Sequence, residues 1–86
     1  MIKNAVELMR DIRRDCKTAG WVPIQTKYSL EKQLAVVAVT HKITGEFSTH
    51  VFLPSHGLLS GQYALTEEEA RLSVVQRFND LKGVLS

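Results

Sequence analysis

The sequence predicts an α+β domain of order αβββα, an antiparallel three-stranded meander packed against two helices. Three observations carry this reading. Apolar residues recur at three- and four-residue spacing near the amino terminus, alternating and β-branched runs fill the middle, and a capping signal precedes a second helical period. A chain of 86 residues supports one core, so residues 1–86 read as a single domain.

Ile2, Ala5, Val6, Met9, Ile12, Cys16 and Ala19 follow helical spacing, which predicts an amphipathic helix over residues 2–19 with Gly20 as its stop. At about 100° per residue, Lys3, Arg10, Arg13, Arg14 and Lys17 gather on one flank of that helix. Glu7, Asp11 and Asp15 form an acidic ridge beside them. From Trp21 to Leu30 the chain alternates, with Val22, Ile24, Tyr28 and Leu30 on one side, the period of a half-buried strand. Pro23 lacks an N–H and belongs at a strand start or a sheet edge.

The run LAVVAVTHKI, then Thr44-Gly45, then EFSTHVFLP reads as a hairpin. With Thr44 and Gly45 as the two loop residues, Val36 pairs with Leu53, Ala38 with Val51 and Thr40 with Thr49, and that face is the expected core. The opposite face then carries Val37, Val39, His41 and Ile43 against Phe52, His50, Ser48 and Glu46. Pro54 to Gly57 is a turn, and residues 58–65 are open between a loop and a further strand. Thr66 and Glu69 make a capping box for the last helix, Ala70, Val74, Phe78, Leu81 and Leu85 line its core face, and Gly83 offers a break.

Composition narrows the function. With 44% hydrophobic and 23% charged residues the chain is globular, not disordered. It carries no apolar run of membrane-spanning length and no signal-peptide core, so a cytoplasmic location is expected. A single cysteine excludes an internal disulfide and a thiolate metal cluster, and Cys16 reads as a core residue. Residues 1–42 hold eight Lys/Arg against four Asp/Glu, and residues 43–86 hold three against five, so the first half can steer an acidic partner.

No glycine-rich phosphate loop, nucleophile elbow or metal-ligand spacing occurs, and a core this small leaves little room for a substrate cavity. His41, His50 and His56 are the histidines, with His41 and His50 diagonal neighbours on the outward face; without HxH or HExxH spacing, no metal, cofactor or catalytic residue is expected. The outward sheet face (Val37, Val39, Ile43, Phe52), together with Leu72 and Val75 beside the apolar arc of the last helix, is a candidate partner or homodimer interface. Lys3, Arg10, Arg13, Arg14 and Lys17 are the alternative, a nucleic-acid-binding stripe.

The order helix, three strands, helix resembles the double-stranded RNA-binding domain over nearly the whole chain, in element order and not in motif. That family places lysines at the start of its last helix to meet phosphates. The matching segment here is Thr66-Glu67-Glu68-Glu69-Ala70-Arg71, whose carboxylates repel a phosphate backbone, so no family site residue transfers. In size and lack of catalytic motifs the chain is similar in style to phage and mobile-element accessory proteins, including inhibitors of host defence. The expectation is therefore a non-enzymatic binding protein that occupies a surface of another macromolecule, a protein in the first reading and a nucleic acid in the second.

Overall fold

The structure, a computed structural model, describes residues 2–84, with the side chains of Ser60, Ala64 and residues 82–84 left undescribed. The elements run α1 (Ala5–Ala19), β1 (Trp21–Ser29), β2 (Leu34–His41), β3 (Phe47–Leu53), β4 (Gly57–Leu65) and α2 (Glu67–Val84). The α+β arrangement, with an antiparallel meander between two helices, is thus as expected. The segment left open between loop and strand becomes β4, and the sheet has four strands in the order β1-β2-β3-β4.

Local chemistry accounts for the helix ends. Asn4 caps α1 by accepting from the Glu7 N–H at 2.9 Å, while Glu7 accepts from the Asn4 N–H at 3.1 Å. This capping box starts the helix three residues later than apolar spacing suggests and leaves Ile2 outside it. Gly20 ends α1 at φ 81°, left-handed backbone that favours glycine, and its N–H reaches back to the last-turn carbonyls. At α2 the expected capping box is present: Thr66 and Glu69 exchange bonds of 2.9 and 3.1 Å. Gly83 does not break that helix, which continues to Val84, and Leu85 lies outside the described residues.

The two helices cover opposite faces of the sheet. Leu8, Ile12 and Cys16 of α1 pack on Ala35, Val37, Val39 and Phe52, whereas Ala70, Val74 and Phe78 of α2 pack on Leu34, Val36 and Ala38. Residues Leu34 to Val39 are consecutively buried as a result. Each valine so covered contributes roughly 1.5–3 kcal/mol of burial, and β2 is the spine of both cores.

Pairing departs from the two-residue turn. Val36 lies opposite Val51 and Ala38 opposite Thr49, two residues from the expected partners, because Lys42 to Glu46 form a longer loop closed by the Gly45 N–H on the His41 carbonyl at 2.8 Å. A shift of two preserves which residues share a face. In β1 a bulge between Pro23 and Gln25 interrupts the expected alternation, so Ile24 packs towards α2 while Val22 and Tyr28 are exposed.

Candidate functional site

The expected interface residues do not form one surface. Val37, Val39 and Phe52 lie beneath α1 with no more than 1% of their surface exposed, so the sheet face proposed as an interface is instead internal core. Ile43 sits in the β2–β3 loop and is 98% exposed. Leu72 and Val75 ride on α2, on the other side of the sheet; Leu72 is 56% exposed and Val75 half-buried. Hydrophobicity alone could not tell a face covered by the chain's own helix from one left for a partner.

The basic stripe is organised around a buried carboxylate. Asp11 points inward and is only 2% exposed. The Lys3 ammonium donates to it, Arg14 Nη1 lies 3.3 Å from its Oδ1, and Arg10 Nε lies 3.7 Å from the same oxygen. The Lys3 hydrogen bond leads in holding the Asp11 carboxyl below its ordinary range; burial opposes it, and the charges of Lys3, Arg14 and Arg10 add to it. Arg14 also pairs with Asp15 at 3.5 Å. Three of the five cations are therefore partly neutralised, while Arg13 and Lys17 remain exposed on the helix.

His41 and His50 are brought together, with Ser48 between them. Ser48 Oγ is 2.9 Å from Nε2 of each ring. Trp21, carried next to His41 by the turn at Gly20, stacks on both imidazoles with centroids 5.4 and 4.2 Å away. Tyr63 meets them edge-on from β4. Burial, then the charges of Arg77 and His41, lowers the His50 pKa to about 4, so the ring is neutral at pH 7. Ser48 is fully buried and His50 nearly so, which leaves the hydroxyl no open side for a substrate. No group of three or more His, Cys, Asp or Glu with metal-binding geometry occurs among the described residues. His56 is exposed, and its Nδ1 lies 2.7 Å from Ser55 Oγ. Cys16 is fully buried, and burial, aided by Asp15, pushes its thiol up to about 11, so it is an inert core group.

A surface that sequence reasoning missed lies on the α2 side of the sheet. A cleft of about 410 Å³ runs between α2 and β4, lined by Val51, Leu59, Gln62, Arg77, Asp80 and Leu81. Its floor is tied together by polar contacts: Arg77 Nη1 donates to the Thr49 carbonyl at 3.2 Å, and Ser73 Oγ donates to Gln62 Oε1 at 2.6 Å. Burial lowers the Arg77 pKa. β4, which supplies part of that lining, is an outer strand of the sheet, with β3 as its one paired neighbour among the described residues.

The two sheet edges differ in chemistry. Exposed edges in native proteins are commonly blunted by proline, lysine or bulges, because unpaired N–H and C=O groups invite another strand. β1 has all three, in Pro23, Lys27 and the bulge at residues 23–25. β4, GLLSGQYAL, has neither a proline nor a charged residue across its nine positions, although its ladder to β3 has two register shifts, of the kind that β1 has once in its ladder to β2. The readable signal was an uncharged nine-residue segment between two turn signals. No helix among the described residues is long and apolar enough to cross a membrane. No protein-family model, curated protein or solved structure matches the chain, so the chemistry of these surfaces alone carries its functional reading.

Proposed function

We propose that this chain is a non-enzymatic binding protein of accessory or inhibitor type, which associates with a protein partner through the β4 edge and the α2–β4 cleft. The observation that carries the reading is the contrast in composition between the two edges: β1 carries Pro23 and Lys27, whereas β4 has neither a proline nor a charge. An extended segment laid along β4 satisfies the outward backbone groups, and its alternate side chains reach the apolar lining at Val51, Leu59 and Leu81. Backbone pairing supplies affinity, while the cleft, with Arg77 and Asp80 at its wall, supplies selectivity.

Nucleic-acid binding by the α1 stripe is the weaker reading, because Asp11 draws in Lys3, Arg10 and Arg14, and Glu67, Glu68 and Glu69 open α2. One experiment separates the two. A photo-crosslinking residue at Leu59 captures a protein in the native cell, whereas one at Arg13 captures nothing; nucleic acid captured at Arg13, with Leu59 silent, overturns the proposal.

A further inference from the structure

We infer that His41, Ser48 and His50 form a binding site for a divalent copper ion, held by two imidazole nitrogens and one hydroxyl oxygen. Ser48 Oγ lies 2.9 Å from Nε2 of His41 and 2.9 Å from Nε2 of His50, so both rings, one on β2 and one on β3, are directed at one oxygen. A first-row ion about 2.0–2.1 Å from donors spaced in this way sees nitrogen and oxygen at about 90°, whereas a tetrahedral ion needs them roughly 3.3 Å apart. A right angle between neighbouring donors is tetragonal geometry. With nitrogen and oxygen ligands that geometry selects copper, which also heads the affinity order of the divalent first-row ions.

The ligands are positioned before any ion arrives. Trp21 stacks on both imidazoles with interplanar angles of 16° and 19°, which holds the two rings in similar orientations. A donor set fixed by its neighbours loses little freedom on binding. The ring that donates its Nε2–H to the hydroxyl shifts that proton to Nδ1, so both Nε2 lone pairs reach the ion. Ser48 Oγ stays between them as the third donor, and a water takes the fourth equatorial position. Entry is from the side of Tyr63, which meets both rings edge-on and is 55% exposed, next to the half-buried His41.

The test is titration of the full chain with Cu²⁺ at neutral pH, followed by electron paramagnetic resonance and by the fluorescence of Trp21, the one tryptophan in the sequence. The expected result is one ion per chain, strong quenching and an axial spectrum with two nitrogen couplings. All three persist in His56→Gln, where His41 and His50 are the remaining histidines. His41→Gln, at a half-buried position, weakens binding by more than about a hundredfold, beyond the roughly 10–100-fold that loss of an outer-shell partner costs. If circular dichroism shows that variant to be unfolded, the His56→Gln spectrum decides: two couplings support the site, and one or none overturns it. Loss of binding in His56→Gln overturns the inference, as does a folded His41→Gln that binds copper like the wild type. So does an ion that an equal concentration of Zn²⁺ displaces.

Discussion

Ser48 Oγ stands 2.9 Å from Nε2 of both His41 and His50, a single hydroxyl shared by two imidazoles. A hydroxyl has one proton, so it donates to one ring and accepts from the Nε2–H of the other. Protonating His50 places a charge in a nearly closed space beneath Trp21, close to Arg77.

Acid stability follows from that geometry. The folded His50 pKa, about 4, is depressed from 6.5, so the unfolded chain binds more protons between those values and stability falls as pH drops through that window. The full loss is about 3 kcal/mol, at about 1.4 kcal/mol per pKa unit. Urea midpoints measured from pH 7 to pH 4 should decline on this schedule, and His50→Gln should flatten the decline. An unchanged slope in the variant would assign the proton uptake elsewhere.

Gly61→Ala tests the same cluster from β4. A Cβ at Gly61 would stand 2.6 Å from Tyr63 Cε2 and 2.8 Å from His50 Cε1. Tyr63 is 55% exposed and can swing away, but His50 is held, so the substitution should cost about 1–3 kcal/mol of overpacking. Adding Tyr63→Ala should not restore the loss, because the His50 contact persists. Thermal or urea unfolding of the single and double variants checks this.

Asp11→Asn should loosen the amino-terminal end of α1. The Lys3 backbone is already tied to the β1–β2 turn by Gln33, which accepts from the Lys3 N–H at 2.8 Å and donates to its carbonyl at 3.0 Å. Removing the Asp11 charge deletes the side-chain half of that anchorage, at a cost of about 1–2 kcal/mol. Because the Asp11 pKa is lowered, its contribution is present above about 3.8 and is lost as pH falls further, below the His50 window. The variant should therefore lose stability at pH 7 and little more below pH 4.

Val39→Asp and Phe52→Asp separate core from interface. On an exposed sheet face these changes would split a dimer and spare the fold. Under α1 they bury a carboxylate among Leu8, Ile12 and Cys16, so the chain should fail to fold, by loss of its far-ultraviolet helix signal. A folded monomer from either variant would contradict the packing of α1.

Parts of the fold were legible residue by residue. Gly20 as a stop, the Thr66–Glu69 box and the β-branched run at Leu34 to Val39 act through neighbours in sequence, and each appears where its chemistry puts it. Two local signals went unused: Asn4 and Glu7 also form a capping box, and an unbroken run such as LAVVAV fits a strand covered on both faces better than one covered on a single face. The candidate site was far less legible, because a cleft between α2 and β4 joins residues from three elements, and no spacing in the chain announces it.

The sequence by itself determined the two helices, the hairpin and the side-chain sets that share each face of β2, because caps, breakers and the period of two are local properties that survive a two-residue change of register. Only the tertiary structure decided that α1 and α2 lie on opposite faces, that Val37, Val39 and Phe52 are core, that Asp11 gathers three cations, and that β4 is an uncharged outer edge. Those outcomes depend on which surfaces the chain brings against each other over long separations, where burial and ion pairing are settled by packing and not by any residue's neighbours.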